Sequence, residues 1–296
     1  MSAAPSLYSA FALTIASEVP LLDLLPGSGE PDVHVSIGAT APPESFTNAW
    51  TVFASPRETT GTAPAAGRFV VRNGREIVIE PYPDADPRAL RLAIVGPLLG
   101  VILTQRGAFV LHASTVSIDG HAVALAGPSG RGKSTLAATL ARAGHPLIAD
   151  DITVIAFPNG KPTVQPGFPR VKLWPDSAAA LAEDADALPL LHPNLTKRSM
   201  QLDRFAMEPV PLARCYLLED GETDAIDTPS SASETMLALV RYTYQASWMH
   251  ENGAAGTNLL HCGSLARSGV VRRLRRRRTF DALAAVVGLI EADVAR

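Results

Sequence analysis

The sequence predicts an α/β protein in which a larger α/β domain follows a smaller, β-rich N-terminal domain. Two observations lead to this prediction. The first 85 residues contain short runs typical of strands, separated by stretches rich in proline and glycine. After that point, strand-like and helix-like segments alternate along the chain, which is typical of α/β proteins. We place the boundary within residues 81–87, so the predicted domains are 1–85 and 86–296.

Three features predict strands in the N-terminal domain. Residues 8–14 form a mixed apolar run, and residues 32–37 alternate between apolar and polar side chains. Residues 68–72 and 76–80 flank Asn73-Gly74, a pair that favours the tight turn of a β-hairpin. We therefore expect this domain to consist mainly of strands and turns.

The second domain is predicted to begin with a helix. Asp86-Pro87 combines an N-cap residue with a proline at the first helical position, so a helix is expected to run to about Gln105. Gly96-Pro97 should kink it, because proline removes a backbone donor. The other predicted elements are strands over 109–118, 122–126 and 146–157, and helices over 134–142, 231–250 and 280–295, the second of these opened by the capping box of Ser231 and Glu234.

Composition and hydropathy exclude several classes of protein. The chain has 296 residues, of which 47% are hydrophobic and 19% charged, so it can bury a sizeable core. Its longest uncharged apolar run, residues 92–103, is shorter than the about 20 residues that a membrane helix needs. The N-terminus lacks the basic region of a secretory signal, and Cys215 and Cys262 form no Cys-x-x-Cys pattern. We therefore expect a cytoplasmic protein with no membrane partner and no cysteine-based zinc site.

Charge is distributed unevenly along the chain. The formal net charge is −3, but the first 56 residues hold no lysine or arginine, whereas residues 272–278 hold six arginines. No aromatic residues interleave this cluster and no nucleic-acid-binding motif accompanies it, so a nucleic-acid partner is not expected. The alternation within residues 270–278 predicts an edge strand whose charges prevent unwanted strand pairing. The alternative is a surface for an anionic partner, such as an acidic peptide or the acidic N-terminal region.

The clearest functional motif is Gly-Pro-Ser-Gly-Arg-Gly-Lys-Ser at residues 127–134, which fits G-x-x-x-x-G-K-[ST] between a predicted strand and a predicted helix. Its three glycines permit the positive φ angles that turn successive N–H groups toward phosphate oxygens. The helix N-terminus favours the same anion. Lys133 is expected to reach the β- and γ-phosphates, and the Ser134 hydroxyl to bind Mg²⁺. The predicted nucleotide contacts are Gly127, Pro128, Ser129, Gly130, Arg131, Gly132, Lys133, Ser134 and Thr135.

Two adjacent carboxylates follow on a later strand, at Asp150-Asp151. A parallel sheet would deliver them to the edge that carries the phosphate-binding loop. One carboxylate is the usual magnesium partner of such a loop, and a second can accept a hydroxyl proton. Because successive strand residues point in opposite directions, a twist or bulge must bring both to the site. The alternative is one working aspartate beside a solvated neighbour.

A single histidine, His112, lies on the predicted strand before the phosphate-binding loop. A lone strand histidine is more often structural than catalytic. The same structural interpretation is applied to the remaining histidines, which are His34, His121, His145, His192, His250 and His261.

Three segments together resemble the catalytic core of the HPr kinase/phosphorylase family, whose P-loop is related to that of phosphoenolpyruvate carboxykinase. They are Leu111-His112, residues 127–135 and residues 143–151. The resemblance covers about residues 105–157 and continues more weakly to about residue 205. It implies a P-loop kinase core in which Asp151 accepts the proton of the substrate serine, His112 and Lys133 are active-site residues, and Ser134 binds Mg²⁺. Thr135 stands where the bacterial regulators usually carry an acid, which argues against the reverse, phosphorylase reaction.

The chain is more similar to shorter relatives in peptide-modifying clusters, including kinases that phosphorylate a serine near the end of lasso-peptide precursors. Residues 170–176 and 196–198 resemble that subgroup. Their cations, with Arg198 assigned as a catalytic residue, can neutralise the charge of a phosphoryl group in transfer. The alternative for these cations is an ordinary basic surface.

The sequence therefore predicts an ATP- and Mg²⁺-dependent kinase that acts on a serine or threonine hydroxyl of a peptide or small protein. Asp150 is assigned to Mg²⁺ together with Ser134, and Asp151 to the hydroxyl proton. The N-terminal domain is expected to recognise the substrate or its leader, for example through a sheet edge. Two alternatives stay open, a small-molecule or carboxykinase-like phosphotransferase and a non-catalytic nucleotide sensor. The sequence also leaves a homo-oligomer open.

Overall fold

The computed structural model describes residues 5–40, 49–248 and 251–296. The chain forms two compact units. The N-terminal unit comprises Met1–Ala108, Leu190–Leu195 and Gln245–Thr257, and the C-terminal unit comprises Phe109–Pro189, Thr196–Tyr244 and Asn258–Arg296. The N-terminal unit therefore takes in the helical segment that a boundary near residue 86 would assign to the second domain. The architecture is mixed α/β, with several sheets.

The N-terminal unit is built on an eight-stranded mixed sheet with the strand order β3-β1-β2-β4-β8-β7-β6-β5. The strands are β1 (Ser6–Ala10), β2 (Leu13–Ser17), β3 (Leu25–Pro26), β4 (Val33–Ile37), β5 (Thr51–Ala54), β6 (Glu58–Ala63), β7 (Gly67–Arg72) and β8 (Glu76–Pro81). The predicted hairpin is confirmed: β7 and β8 pair in antiparallel fashion across Asn73 and Gly74, whose φ angles are 53° and 61°. Two positive φ angles in succession define the type I′ turn expected there.

The predicted N-capped helix is confirmed, and it is irregular where proline interrupts it. The helix α1 (Pro87–Ala93) leads through a π-helical turn (Ile94–Leu98) into α2 (Leu99–Gln105). The Asp86 carboxylate accepts a hydrogen bond from the Arg88 N–H at 2.7 Å. Pro97 has no N–H to donate, so the helix widens at this point. The segment Pro87–Gln105 is long and apolar enough to cross a membrane, but 72% of its most apolar window is buried, as in the core helix of a soluble protein.

The C-terminal unit holds a nine-stranded sheet and a two-stranded ribbon. The sheet strands are β9 (Phe109–Leu111), β10 (Ala113–Ile118), β11 (His121–Ala126), β12 (Leu147–Ala149), β13 (Thr153–Ala156), β14 (Thr163–Gln165), β17 (Val210–Asp220), β18 (Ala225–Asp227) and β19 (Val271–Arg276). The ribbon pairs β15 (Arg170–Leu173) with β16 (Arg198–Gln201). The later helices are α3 (Lys133–Arg142), α4 (Pro175–Leu181), α5 (Ala232–Arg241), α6 (Ala255–Arg267) and α7 (Leu283–Val294).

The strand order places the functional motifs at the carboxyl ends of two strands of this sheet. β11 is parallel to β17 on one side and antiparallel to β10 on the other, and β10 is antiparallel to β12. β11 and β12 therefore run in the same direction with β10 between them, which makes the sheet mixed here instead of purely parallel. Residues 127–132 follow β11 and Asp150-Asp151 follow β12, so both lie where these two strands end.

Both faces of the sheet are covered. Val123 and Leu125 of β11 belong to one core with Leu136 of α3 and Val286 of α7. The alternate residues of the same strand, Ala122, Ala124 and Ala126, belong to a second core that also contains Leu239, Cys262 and Leu265. This alternation, with apolar residues on both faces, is what a strand buried on both sides requires.

Of the two helices predicted near the C-terminus, the first is shorter than expected. The Ser231 hydroxyl accepts a hydrogen bond from the Glu234 N–H at 3.1 Å, which confirms the N-cap of α5. The helix ends at Arg241 because the chain then turns to pair Thr243 with Leu111. The predicted end near His250 lies outside the described residues. The last predicted helix is confirmed as α7.

The arginine-rich segment forms the predicted strand, β19, but the prediction that it lies at a sheet edge is wrong. β19 pairs with β17 on one side and with β18 on the other. Acidic residues of the same unit pair with Arg273 and Arg275 of this strand and with Arg277 just after it, so these charges do not serve to keep other strands away. The ion pairs are Arg273 with Glu219 at 2.9 Å and Glu234 at 3.1 Å, Arg275 with Asp227 at 2.7 Å, and Arg277 with Asp224 at 2.8 Å.

Candidate functional site

The phosphate-binding loop joins β11 to α3, in the strand–loop–helix order that the motif requires. Gly130 and Gly132 have φ angles of 78° and 76°, in the left-handed region that favours glycine. Gly127, in contrast, lies outside that region. A Cβ at Gly132 would clash with Arg276 Nη2, so a larger residue at this position would displace the end of the Arg276 side chain.

The Lys133 side chain lies along this loop. It is buried, and its ammonium group donates hydrogen bonds to the Gly127 carbonyl at 2.8 Å and the Pro128 carbonyl at 3.0 Å. Burial lowers the pKa of Lys133 to about 8, although the charges of Asp151 and Asp150 oppose this shift. The ammonium is thus positioned at the loop and loses its proton more readily than an ordinary lysine.

Asp150 is buried and held by two donors from the protein. Its Oδ1 accepts a hydrogen bond from the Ser114 hydroxyl at 2.6 Å, and its Oδ2 accepts one from the Lys172 backbone N–H at 2.9 Å. These contacts fix the plane of the carboxylate. A buried acid without such partners would be costly to ionise.

Asp151 is half-buried, and its carboxylate lies between the Lys172 ammonium and the His112 ring. Its Oδ2 accepts a hydrogen bond from the Lys172 ammonium at 2.8 Å, and its Oδ1 lies 3.1 Å from His112 Nδ1. The same Nδ1 lies 3.1 Å from the Asp151 backbone carbonyl. Because both oxygens can only accept, Nδ1 carries the proton and donates it toward Asp151.

The contacts of Asp151 set its protonation state. Burial opposes ionisation, but the charge of Lys172 and the hydrogen bond and charge of His112 outweigh it and hold the pKa of Asp151 well below its usual range. Asp151 is therefore a carboxylate at neutral pH.

The local backbone explains how the two adjacent aspartates come to line one cavity. The single strand predicted over 146–157 is broken into β12 and β13 by residues 150–152, and Asp151 has a φ of 73°. The single strand predicted over 109–118 is likewise broken at His112 into β9 and β10. Because β10 pairs with β12 and β9 pairs with β13, the two breaks lie opposite each other. His112 and Asp151 meet at this point.

Most of the predicted site residues share one cavity. Lys172, Trp174 and Lys197 complete its wall. The predicted residues that line it are His112, Ser129, Gly130, Gly132, Lys133, Ser134, Thr135, Asp150 and Asp151. Pro128 contributes its carbonyl to Lys133, and the Arg131 guanidinium pairs with Asp220.

The structure does not bring Arg198 to this cavity. Its guanidinium donates hydrogen bonds to the Leu188 carbonyl at 2.7 Å and the Asp186 carboxylate at 2.9 Å. The preceding residue, Lys197, lines the cavity, with its ammonium 4.7 Å from the centre of the Trp174 ring. Adjacent residues of an extended chain point to opposite sides, so only one of the two cations faces the site.

Three residues around the site were not among the assigned site residues, although Lys172 belongs to the segment 170–176 whose cations the resemblance suggested. Ser114 holds Asp150, Lys172 holds Asp151, and Tyr244 lies beside His112 with 6.1 Å between the ring centres. A further signal for Lys172 is its alternation with buried Val171 and Leu173 in β15, which requires its side chain to face the opposite side. Nothing in the sequence names its partner.

The donor set suits magnesium. Ser134, Asp150 and Asp151 present only oxygen atoms to the cavity, and Mg²⁺ prefers oxygen ligands from one or two carboxylates together with substrate phosphates. Within the described residues, no group of three or more His, Cys, Asp or Glu side chains forms a metal cluster independent of substrate.

The remaining described histidines lie away from the cavity wall. His145 Nε2 is 2.8 Å from the Glu291 carboxylate, and His261 stacks on Phe157 with 5.5 Å between ring centres. These contacts fit the structural role expected of them. His250 lies outside the described residues.

No protein-family model matches this chain, and no curated protein matches its sequence. Among solved structures, the chain is similar to the HPr(Ser) kinase/phosphatase from Coxiella burnetii, with a TM-score of 0.34 and 14% sequence identity. The match covers 62% of this chain and 95% of that one.

Proposed function

We propose that this chain is an ATP- and Mg²⁺-dependent kinase that transfers the γ-phosphoryl group to a serine or threonine hydroxyl of a peptide or small protein. One observation carries the proposal. An ionised, oriented carboxylate, Asp151, lines the same cavity as a phosphate-binding loop and its lysine. A phosphate site beside a proton acceptor is the minimum that hydroxyl phosphorylation requires.

The phosphate half of the site follows from the loop. The N–H groups of residues 127–132 and the N-terminus of α3 favour a polyphosphate, and Lys133 adds a positive charge. Lys172 and Lys197 line the same cavity and add further positive charge where the transferring group would lie. Ser134 and Asp150 would hold Mg²⁺, which neutralises phosphate charge when it is bound.

The acceptor half of the site follows from Asp151. As the acceptor oxygen forms a bond to the γ-phosphorus, the bond from that phosphorus to the β–γ bridging oxygen breaks and ADP leaves. The hydroxyl proton passes to the Asp151 carboxylate. A carboxylate with a low pKa is a weak base, but a loose phosphoryl-transfer transition state places little demand on the base. Lys172 and His112 hold the carboxylate in one orientation.

A peptide acceptor is favoured by the resemblance to peptide-modifying kinases, and a lasso-peptide precursor is the specific substrate that it suggests. The N-terminal unit supplies a sheet whose outermost strands, among the described residues, are β3 and β5, and an extended peptide can pair with a sheet edge through main-chain hydrogen bonds. Ion pairing of the β19 arginines within their own unit speaks against a nucleic-acid partner.

The proposal is tested by incubating the purified chain with γ-labelled ATP, Mg²⁺ and candidate acceptors. We expect label on a serine or threonine of a peptide or protein, with a precursor peptide encoded beside the gene as the first acceptor to try. Exclusive transfer to a metabolite would identify a small-molecule kinase instead. Nucleotide binding without turnover, unchanged in Asp151→Asn, would identify a nucleotide sensor.

A further inference from the structure

A second cavity, of about 330 Å³, opens beside the phosphate-binding loop within the C-terminal unit. It shares Gly130, Gly132, Thr135 and Trp174 with the cavity that contains Asp151. The two cavities therefore adjoin the same part of the loop. A volume of this order lies within the range of about 300–1,000 Å³ that small-molecule pockets occupy.

The part of this cavity lined by residues 278–283 differs in chemistry from the part lined by the phosphate-binding loop. Phe280 lines the cavity and is 47% exposed, so part of its ring is accessible to a ligand there. Arg278 lies two residues before it and also lines the cavity, as does the apolar side chain of Leu283. Nucleobases stack on aromatic rings and on planar guanidinium groups, so this wall suits a base.

The arginines of this wall are already engaged by the loop. Arg276 Nη2 donates a hydrogen bond to the Arg131 carbonyl at 2.8 Å, and Arg278 Nη2 donates one to the Gly130 carbonyl at 2.6 Å. Arg278 also lies 3.8 Å from the Asp220 carboxylate. Their charges are thus partly satisfied within the protein, which makes the cavity a poor second phosphate site. Asp176 and Thr279 supply oxygen atoms suited to the hydroxyl groups of a sugar.

We propose that this cavity is the subsite for the nucleoside half of the nucleotide, with the base stacked on Phe280 and the phosphates on residues 127–134. The inference rests on the proposed function, because it requires a nucleotide on the loop. It adds that part of the affinity comes from the base, through a residue 146 positions after Ser134.

Calorimetric titration with two ligands tests the subsite. Mg²⁺-ATP carries a nucleoside and inorganic tripolyphosphate with Mg²⁺ does not, so their affinities separate the two halves of the site. In Phe280→Ala we expect ATP to bind between about 5-fold and about 100-fold more weakly, from the loss of one stacking contact. Tripolyphosphate affinity should stay within about twofold of the parent value, and this retained binding also shows that the variant is folded.

A matched control is available in Phe53→Ala. Phe53 lies on β5 of the N-terminal unit and is 53% exposed. The Phe53→Ala variant therefore removes a similar aromatic surface from another part of the protein. We expect this variant to bind both ligands as the parent protein does. A loss of ATP affinity in Phe53→Ala equal to that in Phe280→Ala would overturn the assignment.

The remaining outcomes are also decisive. Equal affinity of the parent protein for ATP and tripolyphosphate would overturn the nucleoside subsite and leave the phosphate site standing. Parallel loss of both ligands in Phe280→Ala would show that Phe280 supports the loop and does not contact a base. Unchanged ATP affinity in Phe280→Ala would show that the base does not stack on Phe280. Absence of binding of either ligand to the parent protein would overturn the proposed function together with the subsite.

Discussion

At the scale of single residues, the groups that orient the Asp151 carboxylate are distinct from the acceptor hydroxyl whose proton we propose that it takes. Lys172 and His112 each occupy one carboxylate oxygen, at 2.8 and 3.1 Å, so the plane of the carboxylate is fixed before any acceptor arrives. Fixing a reacting group in this way lowers the entropy cost of reaching the transition state. The same contacts keep the group ionised.

Replacing the proposed base tests its role directly. In Asp151→Asn we expect phosphoryl transfer to fall by about 100-fold or more, because an amide cannot accept the hydroxyl proton. ATP binding should persist, since the loop and Lys133 are unchanged. Asp203→Asn, at an exposed aspartate, is the control for the chemical change. Single-turnover transfer and equilibrium ATP binding are the measurements, and near-normal transfer in Asp151→Asn would contradict the assignment.

Lys172 should control the pH at which the proposed kinase activity is lost in acid. Burial raises the pKa of Asp151 and the charge of Lys172 is the largest of the effects that lower it. In Lys172→Met we therefore expect Asp151 to take up its proton at higher pH, and the acid limb of the kcat/KM profile to move upward. Lys161→Met, at an exposed lysine outside the cavity, should leave this limb in place. An unmoved acid limb in Lys172→Met would show that Lys172 does not set the ionisation of Asp151.

Lys133 should control the alkaline limb. Its pKa is lowered by burial to about 8, so the free enzyme loses the ammonium charge as pH rises through that value. We expect kcat/KM for ATP to fall above about pH 8, because phosphate binding needs that charge. Arginine stays protonated over this range, so Lys133→Arg should lack this limb even if its overall activity is lower. A flat profile to pH 10 in the parent enzyme would refute the prediction.

At the scale of secondary-structure elements, the site depends on two interrupted strand pairs. β9 and β10 are separated by His112, and β12 and β13 by residues 150–152. A continuous pair of strands would send neighbouring side chains to opposite faces, so Asp150 and Asp151 would not line one cavity. The interruption is therefore what converts two sequential carboxylates into one site.

Gly132, in the loop between β11 and α3, and Gly120, in the turn between β10 and β11, offer a matched pair of variants. Gly132 and Gly120 have φ angles of 76° and 78°, but a Cβ at Gly132 would lie 2.4 Å from Arg276 Nη2, whereas a Cβ at Gly120 meets nothing within 4 Å. Alanine at either position should cost about 1–2 kcal/mol of stability from backbone strain. Only Gly132→Ala should also weaken ATP binding, by about tenfold or more, because it displaces Arg276 from the loop. Thermal unfolding and calorimetric titration separate the two effects, and equal ATP affinity in both variants would contradict the argument.

The elements also show what the sequence could and could not predict. The phosphate-binding loop and its flanking strand and helix were predictable because the whole pattern is local. The bond from Lys172 to Asp151 joins positions 21 residues apart on elements that only the fold brings together. For β19, alternation revealed the strand, but nothing local shows how many neighbours a strand has. Lys197 and Arg198 are two adjacent cations, and nothing local decides which of them faces the site.

At the scale of the whole molecule, an arginine cluster does not amount to a basic surface. Arg273, Arg275 and Arg277 are paired with acids of the same unit, and the formal net charge of the chain is −3. Arginines neutralised in this way release few counterions from a polyanion, and counterion release drives non-specific nucleic-acid binding.

We therefore expect no binding to duplex DNA or to RNA at physiological salt, with any Kd weaker than about 10⁻⁴ M. Fluorescence anisotropy with a labelled duplex of random sequence is the measurement. A basic DNA-binding domain run in parallel serves as the positive control. Micromolar binding that weakens steeply with added salt would contradict the charge pairing seen in the structure.

The hold of Arg276 and Arg278 on the loop carbonyls links the nucleotide motif to a distant part of the sequence. Arg276 Nη2 donates to the Arg131 carbonyl and Arg278 Nη2 to the Gly130 carbonyl, across sequence separations of 145 and 148 residues. A fragment that contains residues 127–134 but stops before Arg276 carries the whole motif without the side chains that support its backbone. The motif can therefore be transplanted as a sequence, but the support for its shape comes only with the rest of the C-terminal unit.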